Sequence, residues 1–377
     1  MKNLFYILFL LTIPITLNAQ KDSLESKVVF NSDFRFRSEQ DWDSKKSNGT
    51  YREDRTRLRY RVRAGFTYQH NKWASFGIRA RTGNPKKQQD PQLTLGNGSK
   101  EFGTLPIALE KAYFKGKKKN ISFWLGKNSF PFKKQNELFW SDNVYPEGVF
   151  IQKNFSTSSN FLSQLAVNGG HFIMNTRGKT LMADTYFQGF QLVTSFNELF
   201  NLFPAIYIFK NVQNIPDGGE TYYLDYTIIH IGSSVKLSKS PLIQLEADYH
   251  YNIENYSNTD SIPTPLRDQN TGLVVALNYG QLKEKGDWKF KVSYTEMQRY
   301  AAVDFMAQND WARWDYSSLG SPDGRLTNFK GVELVAGYNL EKNLSLKIKY
   351  YLVEELINLG TTKETGNRVR LDLDINF

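Results

Sequence analysis

Arg55-Thr56-Arg57-Leu58-Arg59-Tyr60-Arg61-Val62-Arg63 places an arginine at every second position, and the intervening residues continue as an apolar series through Ala64, Phe66 and Tyr68. A period of two is the period of a β-strand, whose side chains point alternately to opposite faces. One face of this strand is therefore a ladder of guanidinium groups and the other is apolar and aromatic. Stacked like charges repel, so the charged face needs water, acidic partners or anionic ligands, while the opposite face needs an apolar neighbour. Two settings satisfy both faces: the surface strand of a soluble sandwich, or the wall of a membrane barrel with lipid outside and water inside.

The two ends of the chain favour the second setting. Residues 1–19 read as a secretory signal, with Lys2 near the start, an apolar run over 4–17 and cleavage expected after Ala19. Thr12 and Pro14 interrupt the run, which is too short for a spanning helix. At the other end Val369, Leu371, Leu373, Ile375 and Phe377 alternate with Arg368, Arg370, Asp372, Asp374 and Asn376. A strict amphipathic strand ending on phenylalanine resembles the terminal strand that outer-membrane barrels present to their assembly machinery. The alternative is a soluble protein whose last strand ends in Phe. Residues 20–377 show no composition shift and are expected to form one barrel domain of the cell outer membrane, in contact with lipid and lipopolysaccharide.

Composition agrees. The chain has 27 Phe, 21 Tyr and 7 Trp among 377 residues, yet its mean hydropathy is only −0.51. A barrel wall reconciles the two, because half of each strand is polar and lines water. The absence of cysteine removes disulfides, thiol catalysis and cysteine metal sites. A net charge of +10 would suit nucleic acid, but no nucleic-acid-binding motif accompanies it and the export signal argues against such a partner.

Alternating segments can be marked at 28–37, 55–69, 73–81, 108–115, 121–127, 148–155, 161–174, 185–196, 202–210, 222–237, 242–251, 271–282, 288–298, 329–340, 344–354 and 367–377. They make an all-β, antiparallel barrel of 16 strands, with eight longer connections on one side and seven short turns on the other. The less regular alternation between 148 and 210 leaves room for 14 or 18. A barrel of this size encloses an aqueous channel rather than a filled core.

The alternation also assigns the inner face. Arg35 and Arg37 on the first strand, the ladder Arg55, Arg57, Arg59, Arg61 and Arg63, Arg79 and Arg81 on the third strand, and Arg368 and Arg370 on the last all point inward. Because the last strand must pair with the first, these arginines form one contiguous arc. Lys289, Lys291, Lys347 and Lys349 extend it. A positive wall in a low-dielectric sleeve attracts anions, and guanidinium offers forked contacts to carboxylate or phosphate. The bland alternative is an arc neutralised by Asp33, Asp372 and Asp374.

The connection 128–147 carries Phe130, Phe132, Leu138, Phe139, Trp140 and Val144, too many apolar residues for a solvated loop. Folding into the lumen would hide them and narrow the channel, placing Lys133, Lys134, Glu137, Trp140, Asp142 and Glu147 at a constriction. Packing on neighbouring loops or on a partner subunit is the alternative.

At these residues the chain resembles the Putative porin family of Gram-negative, Bacteroidota-like outer membranes. The resemblance is carried by Arg57-Leu58-Arg59 with Arg61 and Gly65, Gly77-Ile78-Arg79 with Thr82-Gly83-Asn84, and Gln92-Leu93-Thr94-Leu95. Glu110-Lys111-Ala112-Tyr113-Phe114 and the stretch from Trp140-Ser141-Asp142 to Pro146-Glu147-Gly148 complete it. It implies a 16-stranded general-diffusion or anion-preferring porin for small anionic or polar solutes, with an inward third external loop and assembly as a homotrimer. More distantly the chain is similar to phosphate-selective and alginate-export barrels. Phosphate specificity does not carry over, because the inferred constriction loop offers only Lys133 and Lys134.

An outer-membrane hydrolase or a plugged structural or adhesin barrel are the rivals. Glu246, Asp248 and His250 share the inward face of one strand, where a carboxylate beside a histidine could orient a general base. No nucleophile motif lies nearby, His171 has no ligand spacing, and no Gly-rich phosphate loop or zinc motif occurs, so neither catalysis nor a cofactor is expected. In the 300–328 connection, Trp311 and Trp314 could pack inward, bind sugars or meet another chain.

Overall fold

The computed structural model describes residues 27–96, 102–157, 161–176, 180, 183–214, 222–311 and 325–377. The expected signal at 1–19 and Trp314 lie outside these residues. In chain order the strands are β1 (Lys27–Lys45), β2 (Arg55–Gln69), β3 (Ala74–Thr82), β4 (Leu93–Thr94), β5 (Ile107–Lys118), β6 (Ile121–Lys127), β7 (Glu147–Phe155), β8 (Leu162–Asn175) and β9 (Thr185–Phe196). There follow β10 (Phe200–Gln213), β11 (Tyr223–Lys239), β12 (Leu242–Asn252), β13 (Thr271–Gly280), β14 (Trp288–Met297), β15 (Phe329–Glu341), β16 (Leu344–Glu355) and β17 (Thr365–Asn376). All but the two-residue β4 are wall strands, so the expected 16-stranded antiparallel barrel forms, and β1 pairs with both β2 and β17 to close it. Closure satisfies the backbone groups that an open edge would leave unpaired in lipid.

Alternation decides the two faces. On β2 the odd positions Arg59, Arg61 and Arg63 are buried inside while Leu58 and Val62 are exposed outside. On β17 Arg368, Arg370, Asp372 and Asp374 are inside and Leu371 is outside. Between β15 and β16 the chain reverses through Lys342 and Asn343, and Asn343 takes a φ of 66°, which an asparagine tolerates better than most residues.

Two details differ from the sequence pattern. The first strand does not end at Arg37 but runs to Lys45. Ser38 and Gln40 occupy its outward positions there, so the apolar alternation stops although backbone pairing continues to Asp41 opposite Arg55 and Arg368. Trp42 resumes the outer apolar face by stacking on Tyr350 at 5.8 Å. The second is β4, which pairs with Arg59 and Tyr60 of β2 above the point where the β2–β3 pairing begins at Arg63 and Arg81.

Candidate functional site

Register makes the arginine arc a charge lattice. Across the closing seam Arg35 stands opposite Asp374, Arg37 opposite Asp372, Glu39 opposite Arg370 and Asp41 opposite Arg368. The side chains pair accordingly, with Arg37 Nε donating to Asp372 at 2.5 Å, Arg35 Nε to Asp374 at 2.5 Å, Arg370 Nε to Glu39 at 2.7 Å and Arg368 Nε to Asp41 at 2.6 Å. The same two acids of β1 also hold the top of the ladder on its other side, Glu39 taking Arg57 and Asp41 taking Arg55. Opposite charges facing one another across strands stabilise the pairing. Lower down, Arg61 pairs with Asp33, and Glu110 is shared by Arg63, Arg79 and Arg81.

Ten of the eleven arginines thus share six wall carboxylates: Asp33, Glu39, Asp41, Glu110, Asp372 and Asp374. Lys347 leans on Asp374, while Lys291 and Lys349 share Glu333. The wall therefore keeps an excess of positive charge. Part of it is met by carboxylates brought in on loops, since Arg59 donates to Asp90 at 2.5 Å and Arg370 pairs with Asp310.

The 128–146 loop lies against the wall opposite the arc. Phe130 stacks on Trp140 at 4.6 Å, Trp140 meets Phe187 at 5.2 Å, and Phe139 stacks between Tyr207 at 4.8 Å and His250 at 5.1 Å. Trp140, Phe132 and Leu138 are buried, within one aromatic core that includes inward side chains of β6, β7, β8, β9, β10 and β11. Gly189 on β9 makes room, because a Cβ there would overlap the Phe132 ring. Burying several aromatic side chains supplies the driving force, roughly 1.5–3 kcal/mol for each. Polar clips fix the register: Gln135 and Asn136 donate to Asp248 Oδ2 at 3.1 and 2.8 Å.

Two other connections join this loop inside the barrel. Ser141 N donates to Met306 O at 2.8 Å, and Gln308 N to Glu137 O at 3.0 Å. Gln89 Nε2 donates to the carbonyls of Phe305 and Ala307 at 2.9 and 2.6 Å, and Tyr145 N to Gln88 Oε1 at 2.8 Å. The space left between loops and wall forms two adjoining cavities. One of about 170 Å³ lies between Arg35, Arg37, Arg59, Arg61 and Arg63 on the wall and Glu137, Asp142 and Asp310 on the loops. The other, about 260 Å³, lies between Lys291 and Lys349 on the wall and Lys134, Glu137 and Asp142 on the loop.

Of the six loop residues singled out from sequence, Glu137, Asp142 and Lys134 border this space, Lys134 Nζ binding Asp142 at 2.6 Å. Trp140 is an anchor in the aromatic core. Lys133 turns toward Asn201 at 3.4 Å and the Phe203 ring. Glu147 is the first residue of β7, where it binds Lys127 at 2.5 Å, 61% exposed, and borders a separate cavity. Burial and the neighbouring Asp142 push the Glu137 carboxyl above the usual carboxylate range, with Lys134 pulling the other way. At Asp310 burial also opposes the charge, but Arg370, Arg37 and Lys349 outweigh it and hold the carboxyl far below that range.

The Glu246, Asp248 and His250 set does not assemble as a base and its orienter. Asp248 bonds instead to His230 at 2.8 Å, and His250 is stacked between His230 and Phe139. Sequence reasoning missed Glu39, Asp41, Asp90, Glu110 and Asp310, the acids that pair the arc.

An apolar exterior, a charged interior and a closed antiparallel wall define a transmembrane β-barrel of the porin type. The family model described as "Putative porin" matches residues 43–225 and 222–377, and the chain belongs to that family: it is an outer-membrane porin, a channel and not an enzyme. Its fold is similar to that of Pseudomonas putida OprB at high pH, with a TM-score of 0.57 and 14% identity over 93% of this chain and 94% of that one. It is also similar to Salmonella typhi OmpF in complex with daunomycin, with a TM-score of 0.54 and 13% identity over 93% of this chain and 98% of that one. A triple mutant of the Rhodopseudomonas blastica porin gives 0.51 and 12% over 93% and 100%. No curated protein matches the chain by sequence.

Proposed function

We propose that the lumen passes small hydrophilic solutes with a preference for anions, and that the 128–146 loop is its constriction. The observation that carries this reading is the charge balance of the arc: its arginines outnumber the wall carboxylates that pair with them, and the excess faces the cavity bounded by Glu137 and Asp142. Opposed charges across a narrow passage make a transverse field that orients dipolar solutes without caging them. Replacing Arg57, Arg59 and Arg61 together by glutamine is expected to bring the anion-to-cation permeability ratio down to about 1 or below. The test is the reversal potential in a salt gradient, and the shift should shrink at high salt as the field is screened. An unaltered reversal potential at low salt would remove the anion preference from the reading.

The pH dependence has a definite sign. Glu137, held above the ordinary carboxylate range, takes up its proton before an unperturbed carboxylate does as pH falls. Acidification from neutral pH therefore removes negative charge from the loop side of the passage before ordinary carboxylates titrate, and strengthens the anion preference. Glu137→Gln should show the stronger preference already at neutral pH and a flatter pH profile. An equally steep profile in the variant would assign the titration elsewhere.

A further inference from the structure

Asp310 occupies a corner of the lumen wall that has the makings of a ligand site. Its carboxylate forms an ion pair with Arg370 Nη1 and accepts the Tyr351 hydroxyl at 3.1 Å. Arg368 Nη1 holds the carbonyls of Asn309 and Asp310 at 3.3 and 3.1 Å. Arg37 and Lys349 border the same cavity as Asp310. Within the wall each of these cations already has its own carboxylate: Asp372 for Arg37, Glu39 for Arg370, Glu333 for Lys349. The Nη1 atom of Arg370, a side chain only 2% exposed, has no hydrogen-bond partner of good geometry and meets the Asp310 carboxylate alone as an ion.

We propose that Arg370, Tyr351, Arg37 and Lys349 form a binding site for the carboxylate of a passing solute, and that Asp310 fills it as a tethered stand-in which the solute displaces. The proposal rests on the conducting lumen argued above and names the solute class that the lumen selects. A carboxylate fits because two oxygens meet two donors, the guanidinium and the phenol. A phosphate dianion fits worse, since Asp372, Glu39 and Glu333 already balance the neighbouring cations. Asp310 can leave without dismantling the loops, because Phe305, Ala307 and Gln308 stay tied to Gln89 and to the Glu137 carbonyl.

The test is single-channel recording of the purified barrel with gluconate as the probe, sorbitol as its uncharged counterpart and inorganic phosphate as the competing anion. Gluconate should interrupt the current of the unaltered protein weakly and sorbitol not at all. A site that is open for only a minor fraction of the time binds correspondingly more weakly, so Asp310→Asn should tighten gluconate block by about tenfold. In that background Arg370→Gln should abolish the block. Tyr351→Phe, which leaves the buried ion pairs intact, should weaken it severalfold and covers the case in which the arginine variant does not assemble. Unchanged gluconate affinity in Asp310→Asn, or block by phosphate in place of gluconate, would overturn the carboxylate site while leaving a conducting porin. A barrel that passes no current under any of these conditions would instead bring down the porin reading on which the site depends.

Discussion

Replacing Glu110 by glutamine is expected to destabilise the barrel by about 3–5 kcal/mol, the scale on which a buried charge cluster responds to losing one of its ions. Glu110 is 3% exposed and is the one carboxylate that Arg63, Arg79 and Arg81 share, at 3.2 Å from Arg63 Nε, closer to Arg79 and 3.6 Å from Arg81. The contacts are ionic rather than in-line hydrogen bonds, so what is lost is charge and not bond geometry. Glutamine keeps the shape and removes the charge, which isolates the electrostatic effect from packing. Three guanidinium groups then face one another with, among the described residues, Asn143, Tyr145 and backbone carbonyls as acceptors. The temperature at which unboiled protein loses its compact gel mobility should fall markedly. Glu147→Gln, which breaks the exposed pair with Lys127, should leave it nearly unchanged, as surface ion pairs are worth little. The reversal potential of surviving Glu110→Gln channels should move toward anions. Equal thermal stability of the two variants would mean that the arc does not depend on its carboxylates.

Why the sequence disclosed the arginines and not their partners is a matter of periodicity. Over residues 55–63 of β2 every odd residue is an arginine and every even one is apolar or small enough for lipid, so the faces are assigned without ambiguity. Residues 38–41 are polar on both faces, and nothing in Ser38-Glu39-Gln40-Asp41 tells which side is wet. The pairing register does. Glu110 and Lys111 are consecutive, yet Glu110 reaches the buried arginines and Lys111 Nζ lies over the Tyr145 ring. A bulge between Arg79 and Ala80 in the β3–β5 pairing makes this possible, and a bulge breaks the strict period that a sequence reading relies on. Asp90 and Asp310 sit on connections, where there is no period at all and only the folded loop brings them to Arg59 and Arg370. The aromatic content of the 128–146 loop, by contrast, was legible as a demand for burial. What it could not disclose was the surface that meets that demand, the inward rings of β8, β9 and β10, because inward aromatics in a barrel wall read like ordinary strand residues.

Excising the loop between Lys133 and Val144 and bridging the gap with glycines is expected to raise single-channel conductance by roughly twofold or more and to relax discrimination by size. The excised segment removes Leu138, Phe139 and Trp140 from the aromatic core and Glu137 and Asp142 from both cavities. It also removes the Ser141 amide and the Glu137 carbonyl, through which this loop holds Met306 and Gln308. The neighbouring segment then loses two of its backbone ties, so the opening should exceed the volume of the excised residues themselves. The barrel need not suffer, because strand pairing is continuous around it without the loop, and retained heat-modifiable mobility would confirm assembly. Rings such as Phe187 and Tyr207 would then face water, which favours sticking of aromatic solutes and noisier open current. An assembled barrel with unchanged conductance would show that the passage is narrowest elsewhere. The segment carrying Gln308 and Asp310 would be the place to look, because it bonds both to Arg368 of the arginine arc and to Glu137 of the 128–146 loop.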